Sequence, residues 1–286
     1  MTESGIYEPW ASMERCAQVG IRAQQGNRMT DFAENETLLY DLGNRPASFD
    51  FVTCLATSIA LGVKHVRFVY GQGWKPKNYT LEQAKERWYS IVEPASALFG
   101  ITYSIGERYG IEVNHLLGAA TLTYKQTGRI GKITVPCVPK DYITITLRNS
   151  RNPERNSRDE EWLKFADRMK KSGRKVVIIR DWDEQPLDLY DRMKLYAGAT
   201  MNLMVINGPL TLCVHSDAPY ISMRTIGCEN SGSTSPSFSA KNGITPGFQF
   251  PWANSNQRLS YLDDTAQNIE AEYLAMERLI EERKAA

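Results

Sequence analysis

The sequence predicts an α/β fold with parallel sheets and a C-terminal helix, and three observations carry that prediction. Apolar, β-branched runs of strand length alternate with helix-period segments between residues 141 and 223. That β-α-β-α-β-α-β order closes as a parallel sheet with right-handed crossovers. An earlier strand–helix–strand unit stands between Thr37 and Tyr70. Ile269, Tyr273, Met276 and Ile280 share one face of an amphipathic helix running from Asp264 to Lys284.

The elements follow in order. Residues 1–35 are polar and weakly patterned. Thr37–Tyr40 reads as a short strand, and Gly43-Asn44-Arg45-Pro46 as a turn, because Gly and Pro break regular structure. Phe49 to Leu61 is apolar enough for a buried helix, and Val63 to Tyr70 alternates like a strand. A loop, Gly71-Gln72-Gly73-Trp74-Lys75-Pro76-Lys77, comes next. Thr80 with Gln83 forms a capping box for a helix through Trp88 and Val92, which Pro94 is expected to end or kink. Gly100 to Ile105 is another strand. Gly128, Gly131, Pro136 and Pro139 then interrupt the pattern and place a boundary between domains 1–135 and 136–286.

In the second half, Tyr142–Leu147 is a strand. Ser157 and Glu160 supply a capping box for the next helix, whose Trp162, Phe165, Ala166 and Met169 repeat as a core-facing stripe up to the stop at Gly173. Lys175–Arg180 is apolar without alternation, as expected of a strand covered on both faces. A helix over Pro186–Ala199, a strand over Met201–Ile206, a short helix from Asn207-Gly208-Pro209 to His215 and a last strand over Pro219–Met223 complete the series. Residues 227–258 are rich in Gly, Ser, Asn, Thr and Pro, a long loop of the kind that is functional or disordered.

With 286 residues the chain has room for two domains, and its net charge of +1 gives no electrostatic reason to expect nucleic acid or a membrane surface. No apolar run approaches the roughly 20 residues of a spanning helix. Met1-Thr2-Glu3-Ser4 carries no basic segment followed by an apolar core, so no signal peptide is expected. The five cysteines (Cys16, Cys54, Cys137, Cys213 and Cys228) are scattered and odd in number, which fits reduced thiols in a cytoplasm. None of them has zinc-ligand spacing.

The chemistry concentrates in one loop, Arg148 to Ser157, between a strand end and a helix start. In an α/β sheet that position binds ligands, and backbone donors and the helix dipole there favour anions. Arg148, Arg151 and Arg155 add permanently charged forks suited to phosphate, with Asn152, Asn156 and Ser157 beside them. The competing reading is a solvated loop whose arginines pair with Glu154, Asp159 and Glu160. Asn207, Gly208 and Pro209 start a second helix at the same sheet edge, where Gly208 would let a ligand approach the backbone, unless this is an ordinary turn. Gln249 and Trp252, with Gln257 and Arg258, suit sugar recognition by hydrogen bonding and stacking, or simply anchor their loop. Asp181-Trp182-Asp183 is a metal-holding pair or a polar turn. Of the histidines, His65 sits within a strand, His115 has no pattern, and His215 is a base only if it reaches the ligand. The loops at Gly43 and Gly71 are the matching strand-end loops of the first half.

The strings Ile143-Thr144-Ile145-Thr146-Leu147-Arg148, Arg155-Asn156-Ser157, Glu161-Trp162 and Val176-Val177-Ile178-Ile179-Arg180-Asp181 resemble a group of uncharacterised bacterial and phage glycosyltransferase-like proteins. So do Asn207-Gly208-Pro209, Pro219-Tyr220, Gln249-Phe250-Pro251-Trp252 with Gln257-Arg258, Phe49-Asp50-Phe51 and His65-Val66-Arg67-Phe68, so the resemblance spans roughly residues 37–265. A looser similarity is to fucosyltransferase-like enzymes of the GT-B type, in which an arginine after the first strand of the C-terminal domain binds the donor diphosphate. Arg148 stands at that kind of position. The resemblance implies two Rossmann-like domains facing across a cleft and a metal-independent glycosyltransferase with a nucleotide-sugar as donor substrate and no other cofactor. Arg148 and Arg155 would offset charge on the leaving diphosphate. Asp50 or His215 would take the proton of an acceptor, which is a glycan, lipid, protein or small molecule. The alternatives are a non-catalytic binding or assembly protein using the C-terminal helix and the Ser/Gly loop, or a nucleotide-sugar epimerase or hydrolase. The Asp-X-Asp motif belongs to another glycosyltransferase class.

Overall fold

The computed structural model describes residues 32–45, 47–69, 83, 86–150, 152–180, 187–227 and 235–285. Two parallel sheets organise them. The first joins β1 (Thr37–Asp41), β2 (His65–Val69) and β3 (Thr102–Ile105) in that order, with α1 (Asp50–Ala60) crossing between β1 and β2. The predicted helix before β3 does not end at Pro94. A π-helical turn, Trp88–Val92, runs directly into α2 (Glu93–Leu98). The π-helical turn changes the bonding pattern just ahead of Pro94, and the chain continues through it. Thr80 lies outside the described residues, as does the loop from Gly71 to Lys77.

After α3 (Leu117–Thr127), Gly128 closes the helix with a left-handed φ of 67°. The Gly/Pro stretch that follows is extended and runs between the halves. Gly131 N donates to Ala56 O on α1, and Ile133 N donates to His215 O in the second half.

The second sheet contains β4 (Ile143–Leu147), α4 (Asp159–Lys171), β5 (Val176–Arg180), α5 (Leu189–Gly198), β6 (Met201–Val205), α6 (Leu210–Val214) and β7 (Tyr220–Met223). After α7 (Pro236–Lys241) it gains a strand that the sequence pattern does not announce, β8 (Gln257–Leu259). The strand order is β5-β4-β6-β7-β8, all parallel. β5 is therefore an edge strand and only partly buried, so its lack of alternation does not mark a strand covered on both faces.

Alternation along β4 separates two cores. Ile143, Ile145 and Leu147 face Trp162, Phe165, Ala166 and Met169 of α4 together with Ile269, Tyr273 and Met276 of α8 (Ala266–Ala285). The C-terminal helix thus spends its apolar face within this core. On the other face, Thr144 Oγ1 donates to Asn202 Oδ1 at 2.7 Å and Thr146 Oγ1 lies 2.7 Å from Tyr196 Oη. Tyr196, Met204, Leu210 and Tyr220 here continue into the apolar core of the first half, with Phe51, Phe68 and Trp88.

Two reciprocal caps tie α4 to α8. Ser157 does not cap α4 as predicted; its hydroxyl is taken up elsewhere, and the fully buried Asp264 Oδ2 accepts Arg158 N at 2.9 Å and Trp162 Nε1 at 3.0 Å instead. Glu161 Oε2 in turn accepts Ala266 N at 2.9 Å, at the start of α8. No helix among the described residues is long and apolar enough to cross a membrane.

Three residues of β8 are held by one side chain. Gln257 Nε2 lies 2.9, 2.8 and 3.0 Å from the carbonyl oxygens of Cys213, Ser216 and Ala218. Gln257→Leu should destabilise the chain by about 1–3 kcal/mol, because it strands buried acceptors. A lowered urea midpoint with an unchanged slope would show this, and an unchanged midpoint would refute it.

Candidate functional site

Counted from β4, the second sheet has the order 2-1-3-4-5, so the chain leaves β4 for β5 on one side and reaches β6 on the other. The crevice above the carboxyl ends of β4 and β6 is the switch point at which such sheets bind ligands. Arg148 is the first residue after β4 and Ile206 the first after β6. Arg148 Nη1 donates to Ile206 O, so this guanidinium spans the switch point.

The loop that carries Arg148 is closed at its base. Arg148 N donates to Ser157 Oγ at 2.7 Å, and Ser157 N donates to Arg148 O at 3.1 Å. Asn156 Oδ1 accepts Ser150 N at 2.7 Å and Ser150 Oγ at 2.9 Å, while Asn152 Oδ1 accepts Glu154 N and caps the 3₁₀ turn Pro153–Arg155. Asn152, Asn156 and Ser157 therefore shape the loop with the groups expected to meet a ligand. Arg151 lies outside the described residues.

Arg155 behaves differently. It is half-buried, and its buried Nε has no hydrogen-bond partner. Burial pulls the guanidinium below its usual range, opposed by the attraction of Asp50. Asp50 begins α1 in the first half, is exposed, and accepts Ser48 Oγ at 3.2 Å. An arginine of the second half thus lies within electrostatic reach of a carboxylate of the first, without forming an ion pair with it.

Asn207, Gly208 and Pro209 stand where the sequence places them, but two of their expected roles change. The donors at the start of α6 are already used: Asn207 Oδ1 accepts Leu210 N at 2.9 Å, and Thr211 N and Leu212 N bond back to Gly208 O and Pro209 O. Before α4 the Asp264 carboxylate takes the N–H of Arg158, the cap residue. The first-turn donors of α6 are therefore spent within the chain. Gly208 approaches a residue of this chain, not a ligand: a Cβ on it would meet Phe49 Cδ2 at 2.8 Å. Thr211 Oγ1 also reaches Phe49 O at 3.5 Å. Asn207 keeps one free group, since its Nδ2 is buried and without a partner.

Gln249 and Trp252 are not in the crevice wall by any contact seen. Gln249 exchanges bonds with the backbone of Leu259, at 2.8 Å from Nε2 to the carbonyl and 2.7 Å from the amide to Oε1. Trp252 is buried, donates to Val214 O at 2.9 Å and stacks on Phe250 and His215. Both anchor their loop, and Arg258 pairs with Glu272. The turn at Gly43 is self-bonded through Asp41, and Arg45 folds back onto Val113 O and the Tyr40 ring. The Asp181–Asp183 motif and the Gly71 loop lie outside the described residues.

His215 is fully buried, with Nε2 3.3 Å from Thr53 Oγ1, which removes it as a base. His65 lies between Thr102 and Ser104, and burial lowers it to about 4. What sequence reasoning missed is Phe49, whose ring fills the space that Gly208 leaves, and Asp264, which reads as part of the last helix. A glycine after a strand does not reveal the ring that needs it.

Gly208→Ala should cost about 1–3 kcal/mol, as overpacking does. Adding Phe49→Ala should recover part of that loss, and strictly additive effects in the double-mutant cycle would disprove the contact. A pH effect follows from His215. Burial lowers its imidazole to about 3, whereas the unfolded chain takes up this proton near pH 6.5. The unfolded state binds more protons in that interval, so stability is complete above about pH 6.5 and falls as the pH drops towards the folded value. Between about pH 6.5 and 4, wild type should lose up to about 1.4 kcal/mol per pH unit more than His215→Phe. Parallel stability curves would contradict the neutral buried imidazole.

No protein-family model matches the sequence, and no curated protein matches it. Similarity to solved structures is distant. The chain resembles the bacterial iron-containing dodecameric glycosyltransferase TibC from enterotoxigenic E. coli H10407, with a TM-score of 0.49, 12% identity, and coverage of 88% of this chain and 78% of that one. TibC in complex with ADP-D-β-D-heptose aligns with a TM-score of 0.48 and 13% identity, over 88% of this chain and 80% of that one. E. coli heptosyltransferase WaaC with ADP aligns with a TM-score of 0.45 and 12% identity, over 84% of this chain and 99% of that one. At these values the likeness concerns architecture and not chemistry.

Proposed function

We propose that the chain is a metal-independent glycosyltransferase that moves a sugar from a nucleotide-sugar donor to an acceptor entering from the first half. The observation that carries this reading is Arg148 spanning the switch point to Ile206 O, with the partnerless Nε of Arg155 on the same loop. Breaking a glycosyl–phosphate bond leaves negative charge on the diphosphate. Two guanidiniums fixed before the reaction stabilise that charge without reorganising. Arg148 is oriented by its bond to Ile206, and Arg155 has a buried N–H to give. Asn207 Nδ2 adds a neutral donor beside the switch point. Asp50 is the carboxylate that can take the acceptor's proton, because it is exposed and opens the first helix of the first half, directly after the Phe49 ring that packs on Gly208. His215 is excluded by its burial.

A thermal-shift and calorimetry panel of nucleoside diphosphates and nucleotide sugars, with magnesium and with chelator, tests the reading. A ligand should bind equally in both conditions. Arg148→Ala and Arg155→Ala should each weaken it roughly 10- to 150-fold, the worth of a charge-assisted hydrogen bond. Full affinity in both variants would sink the assignment. Asp50→Asn should keep or slightly raise affinity, since it removes a negative charge near the anion, while lowering kcat roughly 10²- to 10⁴-fold. An unchanged kcat would free Asp50 of the role. Donor breakdown without any acceptor would move the assignment to a hydrolase or epimerase.

A further inference from the structure

We propose that Arg224 is a positioning residue for the arginine loop, gripping its tail so that Arg155 stays at the crevice, with Asp264 holding Arg224 in place. The consequence for ligand binding rests on the diphosphate reading above; the grip itself does not.

Arg224 is the first residue after β7 and has a φ of 49°, the one positive φ on a non-glycine among the described residues. An L side chain of this size adopts that region only when its surroundings over-determine it, and such residues cluster at functional sites. The surroundings are visible. Arg224 N donates to Leu262 O at 2.9 Å, and Thr225 N donates to Ser260 O at 3.0 Å, which fix the turn. From it the guanidinium reaches away from its own strand. Nη2 donates to Asn156 O, and Nη1 lies 3.5 Å from Asp264 Oδ1. The other oxygen of that buried carboxylate takes Arg158 N and Trp162 Nε1.

One planar group therefore joins the two ends of a three-residue stretch, Asn156 by its carbonyl and Arg158 through Asp264. Asn156 is also the residue from which the loop is organised, since its side chain accepts both the amide and the hydroxyl of Ser150. Arg155 precedes it directly, and its own Nε has no bond to hold it. Its placement in the loop is set by the backbone that Arg224 grips. A lysine could reach one of the two partners but not span both, because it offers a point charge where the fork is needed.

The test combines amide hydrogen exchange with titration by inorganic pyrophosphate, on the full chain as Arg224→Ala, Arg224→Gly, Arg224→Lys and Arg155→Ala. In Arg224→Ala the amides of Ser150, Arg155 and Ser157 should exchange roughly tenfold faster or more, with β4 and β6 amides unchanged, the pattern of local opening. Arg224→Gly should show the same loop exchange yet melt at a higher temperature than Arg224→Ala, because glycine relieves the strained turn without restoring the grip. Arg224→Lys should fall between wild type and Arg224→Ala. Pyrophosphate affinity should drop in Arg224→Ala in the same direction as in Arg155→Ala. Loop exchange like that of wild type, or loop and strands opening equally, would overturn the proposal, as would undiminished pyrophosphate binding in Arg224→Ala. If wild type itself binds no pyrophosphate, the diphosphate reading fails, and the exchange pattern still decides whether Arg224 grips the loop.

Discussion

The ring of Phe49 against the bare backbone of Gly208 is the contact on which the site depends. It brings the loop after β1 against the loop after β6, and with it the start of α1 against the carboxyl edge of the second sheet. Asp50 follows Phe49 directly and so comes within electrostatic reach of Arg155. The contact is not isolated. The threonine face of β4, α5 and α6 share one apolar core with the first half, and the Gly131–Ile133 stretch bonds to both α1 and His215. A side chain on Gly208 would have to displace an aromatic ring in a region with little free volume.

A second constraint is electrostatic. Helix starts in such a sheet attract anions, and this chain sets its own carboxylate, Asp264, against the cap residue of α4 and the amide oxygen of Asn207 against the first turn of α6. The consequence is a division of labour. Backbone donors at the start of α6 are consumed in holding the scaffold, while Arg155 Nε and Asn207 Nδ2 are buried side-chain donors without a partner. The loop between β4 and α4 follows the same division: its asparagines and Ser157 bond inward, while Arg148 and Arg155 are held at the edge.

Much of the fold is legible in the sequence because it depends on local periodicity. The stripe Trp162, Phe165, Ala166, Met169 is the buried face of α4, and Ile269, Tyr273 and Met276 are that of α8. β4, β6 and β7 lie where β-branched and apolar runs put them. Elements whose state depends on a distant segment are the ones misread. β8 has three residues and exists because Gln257 ties it to carbonyls some forty positions earlier. β5 looks like a central strand by composition yet sits at the edge, since strand order is not encoded in any one strand. Ser157 carries a capping signature, but the carboxylate of Asp264 from a distant segment takes the cap, a tertiary interaction overriding a local one.

The sequence by itself determined the element series, the two core-facing helical stripes and the concentration of arginines after β4. Those follow from spacing along the chain, which burial and hydrogen bonding read locally. Only the tertiary structure decided that Arg148 is bonded to Ile206 O while Arg155 keeps a partnerless Nε, and that Gln249, Trp252 and His215 turn inward. Each of these depends on which distant segment supplies the neighbour. A polar side chain near a partner in the fold is spent on it, and one left without a partner at a crevice remains available to a ligand.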